Sequence, residues 1–411
     1  MTPQVKQRIE QIRCGEVPEG YKKAKVGVVP SEWEITKLSS ISSHVTKKNT
    51  DGNIQTTFTN SATQGVIKQT DYFDKEISNR ENITGYYVVQ ENDYIYNPRI
   101  SASAPCGPIN KSHFVDEGVV SPLYTVFKMT NDLQKNQYIE YYLKSPFWHR
   151  YMCGVANYGA RHDRMNITND DLFAMPVPLP PLAEQKKIAE ILSAQDKLIA
   201  LKEKLLEEKK CQKKALMQQL LTEKKRLPGF SGEWKKYNFH QIFETVSSRN
   251  NQIKSDEYLD NAEYPVVDQG KKKIIAYSNK KEKLLKIPKD GIIVFGDHTR
   301  EVKYIDFDFI VGADGTQILK SKTNNISTLF LYYALASKKI KSDGYSRHLK
   351  YVKELIYRIP EETEQKAIVD IFRSVDKEIE FLEYTLDQEI QKKKALMQLL
   401  LTGIVRVEVN E

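Results

Sequence analysis

Basic and amide side chains recur in short segments of this sequence, close to glycine or aromatic residues. The segments are 45–49, 97–103, 158–166, 247–252, 268–273, 295–304 and 344–350. Arginine can pair bidentately with guanine, asparagine and glutamine can pair with adenine, and lysine can bind phosphate. Glycine lets a backbone approach a duplex closely. Although polar loops are common on any protein surface, these residue types predict contact with the bases and phosphates of double-stranded DNA.

One pair of residues recurs in both halves of the chain. Arg161-His162 and Arg347-His348 lie near the end of their respective halves and are the most specific part of the pattern. Each basic or amide residue of these loops could instead be an ordinary solvated side chain, which is the default for a polar surface loop. The predicted DNA-binding set is Lys47, Lys48, Asn49, Arg99, Arg161, His162, Arg164, Arg249, Asn250, Gln269, Lys271, His298, Arg300, Lys303, Arg347, His348 and Lys350.

A catalytic interpretation is offered by acidic residues in the second half. Asp290, followed by Glu301 and Lys303, resembles the spaced acidic residues and lysine of metal-dependent nucleases, whose paired carboxylates hold Mg²⁺. Short matches at such loose spacing often arise by chance. The sequence also has no GxxxxGK(S/T) phosphate loop, no glycine-rich dinucleotide fingerprint and no Asn-Pro-Pro-aromatic motif for a flipped adenine. We therefore predict no catalytic residue in this chain.

Composition describes a multidomain globular chain. It has 411 residues, of which 40% are hydrophobic and 28% are charged, and its net charge of +8 favours a polyanionic partner only weakly. Cys14, Cys106, Cys153 and Cys211 show no metal-ligand spacing, so we expect reduced thiols and no metal site. The sequence shows neither an apolar signal segment nor a run of about 18 apolar residues, which predicts a cytoplasmic protein without membrane contact.

An internal repeat indicates which elements position these loops. KKALMQQLLT at 213–222 returns as KKALMQLLLT at 393–402, and the match extends back without a gap to Glu184 and Glu364. About half of the aligned positions are identical. A fainter pair lies upstream, where Trp33 and Trp234 each follow a glutamate. The repeated unit is therefore a whole module, opened by Glu-Trp and closed by a helix.

Each closing segment predicts one long helix. No glycine or proline occurs between 188 and 221, and prolines precede both copies. The first copy has nine basic and six acidic residues (+3) and the second has six and nine (−3), which favours pairing of the two copies with each other. Solvated helix faces packed elsewhere, and coiled coils between chains, stay open as alternatives. Apolar spacings of three and four predict seam residues that include Ile191, Leu198, Leu205, Leu216, Ile371, Val375, Ile379, Leu382 and Leu396.

The segments between the helices predict mixed globular heads. Segments 86–97, 121–129, 291–295 and 304–312 are β-branched and aromatic, as strands are, and helical patches lie at 137–152 and 329–340. Each head is therefore α+β. The two heads hardly match in sequence, and the first spans 151 positions from its tryptophan to its helix start against 130 in the second. Such divergence indicates two different recognition surfaces.

Together these motifs resemble the specificity (S) subunit of type I restriction-modification systems, over essentially the whole chain. They are PLPPLAEQKKIAEIL and RIPEETEQKAIVDIF at the helix starts, KKALMQ(Q/L)LLT at the helix ends, VVPSEW and FSGEW at the module openings, and FGDHTREVKYIDFDFIVGADG in the second head. The resemblance implies an α+β fold with two α/β target-recognition domains. Two long conserved helices would separate them and form an antiparallel coiled coil, giving an internal pseudo-two-fold repeat.

The resemblance also implies a noncatalytic role in DNA recognition. Each domain would read one half of a bipartite target, and the helices would set the gap between halves, on the scale of one DNA turn of roughly 34 Å. Two modification subunits, which methylate adenine with S-adenosylmethionine, would dock on the helices. Restriction subunits, which use ATP and Mg²⁺, would join them. The chain itself would bind no cofactor.

The motifs suggest boundaries for these parts. We expect an N-terminal helical segment at 1–20, recognition domain 1 at 21–181, helical spacer 1 at 182–225, recognition domain 2 at 226–360 and helical spacer 2 at 361–411. Glu223 stands where the second copy has Gly403, so the first helix is expected to run on toward Lys225. A coiled-coil scaffold with protein-binding heads, and a self-contained nuclease, stay open as other functions.

Overall fold

The computed structural model describes residues 2–72, 80–130, 133, 136–156, 165–312, 314–342, 344 and 346–408. The chain divides into two compact units. The first comprises residues 1–200 and 387–411, and the second comprises residues 201–386. Each unit therefore contains one globular head and a part of each long helix.

The first head is built from short helices and strands. Its helices are α1 (Pro3–Arg13), α2 (Leu38–Ile41), α3 (Gln69–Tyr72), α4 (Gln137–Lys144), α5 (His149–Val155) and α6 (Asn169–Phe173). Its strands are β1 (Tyr21–Ala24), β2 (Gly27–Pro30), β3 (Glu34–Lys37), β4 (Ser42–His44), β5 (Phe58–Ser61), β6 (Gly65–Lys68), β7 (Tyr87–Val89), β8 (Tyr94–Tyr96), β9 (Ile109–Lys111), β10 (Gly118–Val120), β11 (Thr125–Met129) and β12 (Pro176–Leu179). The long helix α7 (Leu182–Leu220) follows and continues into the second unit.

The second head has the same kinds of element. Its helices are α8 (Phe239–Ile242), α9 (Thr328–Ala336) and α10 (Leu349–Lys353). Its strands are β13 (Lys235–Asn238), β14 (Phe243–Val246), β15 (Tyr264–Val267), β16 (Ala276–Ser278), β17 (Leu284–Leu285), β18 (Ile292–Gly296), β19 (Val302–Ile305), β20 (Phe309–Val311), β21 (Thr316–Ser321) and β22 (Ile356–Ile359). The second long helix, α11 (Glu362–Leu401), begins in this unit and ends in the first.

Both heads are organised around the same four-stranded antiparallel sheet. The strand order is β4-β11-β8-β9 in the first head and β14-β21-β18-β19 in the second. Val126 pairs with Ile95 in the first sheet, Ile318 pairs with Val294 in the second, and all four are buried. A buried strand requires β-branched and other apolar residues rather than one particular sequence. Heads whose sequences hardly match can therefore share one topology.

The heads differ in their second set of strands. The second head has a sheet in the order β16-β15-β20-β17, in which β15 and β20 run parallel. The first head instead has two antiparallel pairs, β5-β6 and β7-β10. The pairs β3-β12 and β13-β22, which join the beginning of each head to its end, are equivalent. The described parts of the heads thus share a central sheet and differ in the strands beside it.

One tryptophan ties each head to the start of a long helix. The Trp33 indole donates to the carboxylate of Glu184 at 3.1 Å, and the Trp234 indole donates to Glu364 at the same distance. Both carboxylates are buried, at 1% and 3% exposure, so each needs such a donor. The repeated Glu-Trp openings in the sequence therefore correspond to a repeated structural contact.

The two long helices end in the same way. α7 ends at Leu220 and α11 ends at Leu401, so the expected extension of the first helix toward Lys225 is wrong. The equivalent residues Glu223 and Gly403 both adopt the left-handed conformation that commonly terminates helices, with φ of 61° and 68°.

The surroundings explain why one helix end carries glycine and the other does not. A Cβ atom on Gly403 would come within 3.0 Å of Trp33 and still closer to Pro30. Glu223 keeps its side chain, and its carboxylate binds Arg358 at 3.0 Å. The sequence difference therefore reflects the neighbours and not a longer helix.

Within the first unit the two long helices run antiparallel. Gln195 of α7 donates to the carboxylate of Glu389 of α11 at 2.9 Å. Earlier in α7, Ile191 packs against the same apolar core as Leu396, which lies later in α11. Residue numbers therefore fall along α11 as they rise along α7.

The same holds within the second unit. Lys209 binds Glu378 at 2.7 Å, and further along α7, Met217 lies in one apolar cluster with Phe372. The helix copies thus pair with each other inside each unit, which confirms the pairing predicted from their opposite net charges.

An ion pair between the helices is repeated in both units. Lys213 binds Asp376 at 2.5 Å in the second unit, and the equivalent Lys393 binds Asp196 at 2.5 Å in the first. Each aspartate also accepts a hydrogen bond of 2.7 Å from a tyrosine hydroxyl of its own head. The duplicated residues therefore join helix, helix and head in the same way twice.

The buried seam of α7 is shifted from the predicted one. Leu198 and Leu205 are 37% and 41% exposed, so their assignment to the seam is wrong. Gln195 occupies a buried seam position, where it donates hydrogen bonds to α11. A pattern of apolar residues cannot identify a glutamine as a seam residue. The other predicted seam residues are half-buried or buried, namely Ile191, Leu216, Ile371, Val375, Ile379, Leu382 and Leu396.

Candidate nucleic-acid interface

The hairpin between β18 and β19 carries two predicted DNA-binding residues at its turn, 297–301. The amide of Arg300 donates to Gly296 at 2.7 Å, and the amide of Gly296 donates to Glu301 at 2.8 Å, which closes the turn. Arg300 has a φ of 64°, a left-handed conformation that is uncommon for residues other than glycine. Its side chain is exposed, and His298 beside it is half-buried. A hydrogen-bonded turn therefore presents an arginine to solvent.

Gln269 joins a second loop to this turn. Its side-chain oxygen accepts from the amide of His298 at 3.2 Å, and its carbonyl accepts from the Thr299 hydroxyl at 2.5 Å. Its side-chain nitrogen donates to the carbonyl of Asp314 at 2.9 Å. The carboxylate of Asp314 in turn accepts from Gln252 at 3.0 Å. The structure thus brings together three of the loops that the sequence singled out.

Asp297 joins a further loop to the same turn. Its carboxylate accepts from the amide of Leu349 at 2.7 Å, and its carbonyl accepts from both the amide and Nδ1 of His348 at 2.8 Å. The residue is only 2% exposed, so these donors compensate for the loss of water. The loop that contains Arg347 and Lys350 is held beside the hairpin turn by these bonds.

Two glycines permit this close packing of loops. A Cβ atom on Gly315 would come within 2.7 Å of the His298 ring, and one on Gly296 within 2.7 Å of the Gln269 carbonyl. Gly315 also has a φ of 87°, which other residues rarely adopt. Glycine is therefore needed at both positions for the loops to meet.

The predicted residues of the second head fall into two groups. Lys303 and His348 are 8% and 1% exposed, so we correct their assignment to the DNA-contacting surface. The Lys303 amine donates to the carbonyl of Lys272 at 2.8 Å, and burial lowers its pKa. Both side chains support the loops from inside. The exposed or half-buried group is Arg249, Asn250, Gln269, Lys271, His298, Arg300, Arg347 and Lys350.

In the first head the equivalent hairpin lies between β8 and β9 and carries Arg99. The amide of Arg99 donates to the side chain of Asn97 at 3.0 Å, and Asn97 donates to the carbonyl of Asn60 at 3.0 Å. The buried Asn60 also accepts from Asn110 at 2.7 Å. A Cβ atom on Gly107, whose φ is 75°, would collide with the Asn97 carbonyl. Arg99 is exposed on a turn that these asparagines and this glycine fix in place.

The loop at 45–49 supplies the other described candidates of the first head. Lys47 and Lys48 are exposed. Asn49 is 4% exposed, and its amide group exchanges hydrogen bonds of 2.9 and 3.2 Å with the backbone of Ile54, so its assignment to the DNA-contacting surface is corrected. Arg161, His162 and Arg164 lie outside the described residues.

The proposed nuclease residues have other roles where the structure describes them. The carboxylate of Asp290 accepts from the amide of Thr328 at 2.6 Å, at the first residue of α9. Glu301 belongs to the hairpin turn. Within the described ranges, no group of three or more His, Cys, Asp or Glu side chains could hold a metal ion. The geometry of these residues therefore corresponds to loop support.

Sequence reasoning missed the residues that position the loops. The candidate surfaces are held together by Asp297, Asp314, Asn60 and Asn97. These residues were not predicted, because the predicted set consists of cationic and amide side chains that can bind DNA directly. A usable signal existed for Asp297, which follows the apolar run 292–295 after a single glycine. An ionised carboxylate can accept several hydrogen bonds, so one that follows a buried strand can bind the backbone amides of a neighbouring loop.

Comparison with known proteins supports the architecture. The family model of the type I restriction modification DNA specificity domain matches residues 30–209 and 231–392. The two matches together cover most of the chain and correspond to the two heads with their long helices. The repeated unit found in the sequence is thus a repeated family domain.

Two curated relatives from Methanocaldococcus jannaschii match along nearly their whole length. The type I restriction enzyme MjaVIII specificity subunit is 24% identical over 434 residues, and the match covers 95% of this chain and 97% of the relative. A protein provisionally named as the type I restriction enzyme MjaX specificity subunit is 25% identical over 423 residues, with the same coverage.

A solved structure is also similar. The crystal structure of a type I restriction-modification system S subunit from M. genitalium matches with a TM-score of 0.55 and 18% identity, covering 90% of this chain and 96% of the other. At this identity the likeness concerns the fold, and it confirms the predicted α+β class. No described helix is both long and apolar enough to cross a membrane.

Proposed function

Because this chain belongs to the type I restriction modification DNA specificity family, we propose that it is the noncatalytic subunit that reads the DNA target of a type I restriction-modification complex. Each head reads one half of a bipartite target, and the long helices set the number of base pairs between the halves. The protein acts in the cytoplasm, where its DNA target is.

One observation supports this proposal above the others. The two heads present different loops at the same place in the same sheet, namely the turn after β8 in one and the turn after β18 in the other. Arg99 is exposed on the first turn and Arg300 on the second. Two copies of one scaffold with unrelated loops suit a protein that reads two unrelated half-sites.

The partners follow from the same proposal. Two modification subunits dock on the long helices and methylate adenine with S-adenosylmethionine, and restriction subunits that use ATP and Mg²⁺ join the complex. Three apolar side chains on the long helices of the second unit suit such docking, because Leu201, Phe381 and Tyr384 are 66%, 65% and 63% exposed. Large exposed apolar side chains on paired helices commonly mark protein interfaces.

The test is a genome-wide map of methylated adenines. DNA is taken from cells that produce the modification subunit with or without this chain. A split motif with a fixed gap, found only when the chain is present, is the expected result and names both half-sites. Absence of chain-dependent methylation, from a complex shown to be assembled, would overturn the proposal.

A binding measurement separates DNA recognition from protein scaffolding. The affinity of the assembled complex for a target duplex should fall steeply with salt, because lysine and arginine contacts release counterions from phosphates. If the heads instead bind proteins, the complex should bind DNA weakly, and its affinity should change little with salt concentration.

A further inference from the structure

Two cysteine sulfurs lie in contact in the first head. Cys106 lies near the end of the loop between β8 and β9, and Cys153 lies on α5. Their Sγ atoms are 3.4 Å apart, although 47 positions separate the residues in sequence. This separation is close to the van der Waals contact of two sulfurs, so a small adjustment would allow a covalent bond, whose length is about 2.05 Å.

The two thiols differ in their surroundings. Cys106 is fully buried, and burial raises the pKa of its thiol to about 12. Cys153 is exposed, and the glycine that follows it leaves open space next to it. An oxidant in solution therefore reaches Cys153 first, while Cys106 is protected until its neighbour has reacted.

We infer that Cys106 and Cys153 form a reversible disulfide when the chain meets a peroxide. The Cys153 thiolate attacks one peroxide oxygen and the O–O bond breaks, which gives a sulfenic acid and, after protonation, water or an alcohol. The Cys106 sulfur then attacks the Cys153 sulfur. The S–O bond breaks, and the departing hydroxide takes the Cys106 proton to form water. The thiols lose two protons and two electrons in total, and the peroxide gains them.

The second thiol is already in place for this step. Holding two reacting groups in contact replaces a bimolecular encounter by an intramolecular step with a high effective concentration. A small dithiol or monothiol reduces the bond again by thiol–disulfide exchange. The buried position of Cys106 slows that reduction, since attack has to begin at the exposed Cys153 sulfur.

The disulfide would fasten the loop that carries Arg99 to α5. Gly107, the residue after Cys106, lies against the Asn97 carbonyl, and the Asn97 amide donates to the carbonyl of Pro108 at 3.0 Å, so both sides of the loop are held together here. The movement that brings the two sulfurs to bonding distance is therefore expected mainly in α5. This helix directly precedes the segment of Arg161 and His162 in sequence. If the proposed function holds, oxidation alters how the first head reads its half-site and leaves the second head unchanged.

The test begins with the full chain and hydrogen peroxide. After the remaining thiols are blocked, non-reducing digestion and mass spectrometry should yield one peptide pair joined through Cys106 and Cys153, lighter than its parts by two hydrogen atoms. The pair should disappear in C153S and in C106S, and with dithiothreitol. It should persist in the double variant C14S/C211S, which removes the other two cysteines.

One chemical outcome would overturn the inference. If Cys14 and Cys211 become oxidised at a given peroxide dose while Cys106 and Cys153 stay unlinked, the contact between their sulfurs has no redox role. The same holds if C106S gives Cys153 sulfinic acid at the rate seen in the unmodified chain, because Cys106 would then not intercept the sulfenic acid.

A DNA measurement tests the consequence separately. The complex is assembled with oxidised or reduced chain, and its affinity is compared for duplexes altered in either half-site. Oxidation should change discrimination at the first half-site by roughly 2- to 30-fold, the range of typical coupling between sites, and should leave the second half-site and C153S unaffected. Equal effects on both half-sites would overturn the link to the first head. Failure of the reduced complex to bind any duplex would instead count against the proposed function. It would not count against formation of the disulfide.

Discussion

Arg406 holds Glu184 through two hydrogen bonds of 2.7 Å, although 222 positions separate the two residues in the sequence. Glu184 is buried at the start of α7 and also accepts from Trp33. The second unit repeats the contact, since Arg226 binds Glu364 through bonds of 2.9 and 2.8 Å. In each unit, an arginine that follows the end of one long helix neutralises a buried carboxylate at the start of the other.

Removal of Arg406 should destabilise the first unit. R406A deprives the buried Glu184 of two charged hydrogen bonds, which should lower the free energy of unfolding by about 3 kcal/mol. This value is at the lower end of the losses typical for a broken buried ion pair, because Arg406 is partly exposed. Urea denaturation measures the change. R13A, whose ion pair with Glu10 is exposed on both sides, is the control and should cost less than about 0.5 kcal/mol. Equal losses would show that Glu184 does not depend on Arg406.

Arg300 should determine discrimination in one half-site only. R300G removes the side chain while glycine keeps the left-handed turn, so the hairpin should stay folded. Loss of a base contact should reduce discrimination at one half-site by about 1–3 kcal/mol. Competition binding with duplexes altered in each half measures this. R99A, on the equivalent hairpin, is the matched control and should affect the other half. If both variants affect the same half, the assignment of one half to each head is wrong.

Asp297 should act as a positioning residue for the second half-site. D297A leaves the partly buried amide of Leu349 without its acceptor, which should cost about 1 kcal/mol of stability and loosen the loop of Arg347. Discrimination at the second half-site should fall even at temperatures where the variant is fully folded. D297N retains an oxygen acceptor and should recover much of the discrimination. Methylation mapping of both variants provides the measurement, and unchanged motif fidelity in folded D297A would contradict the role.

The length of the long helices should set the gap between half-sites. Insertion of one turn, about four residues, at matching places in α7 and α11 should change the number of base pairs between the halves. The half-site sequences should stay the same, because the heads are untouched. Adenine methylation mapping of the variant complex reads both properties at once. An unchanged gap in an active complex would show that the helices do not set the distance between the half-sites.

Asp93 should make the first head less stable as pH rises. Burial raises the pKa of its carboxyl from 3.8 to about 6, so the folded protein binds this proton more tightly than the unfolded chain. That contribution is complete below the unfolded pKa and is lost as pH rises through about 6. The difference corresponds to roughly 3 kcal/mol. D93N should remove this part of the pH dependence between pH 4 and 7 in urea denaturation, whereas D116N, at an exposed site, should keep it.

Repetition and periodicity were sufficient to predict the helical framework. The duplicated segments predicted two long helices, and the opposite net charges of the two copies predicted that these helices pair with each other. The faint Trp33 and Trp234 pair marked the opening of each module, and the structure places an equivalent indole–carboxylate contact at each. The seam of α7 was misplaced by one residue, since Gln195 enters the seam through hydrogen bonds that no apolar pattern records.

The shared sheet and the inner members of the site could not be predicted in this way. Apolar alternation is compatible with many sequences and does not specify which strands pair. The strand order that the two heads share could therefore not be predicted from sequences that do not match. Asn49, Lys303 and His348 looked like surface residues because a residue type reports what a side chain can bind, not what surrounds it. Their burial depends on loops that meet only in the folded chain.

The division of both long helices between the two units has a consequence for synthesis on the ribosome. The second unit, residues 201–386, is continuous in sequence and can assemble as soon as it has emerged. The first unit also requires residues from 387 onward, including Arg406, which leave the ribosome after the whole of the second unit. The unit whose head is translated first is therefore completed after the other unit. Until then the first unit's part of α7 has no helical partner. A chain truncated before residue 387 would have all residues of the second unit but would lack part of the first.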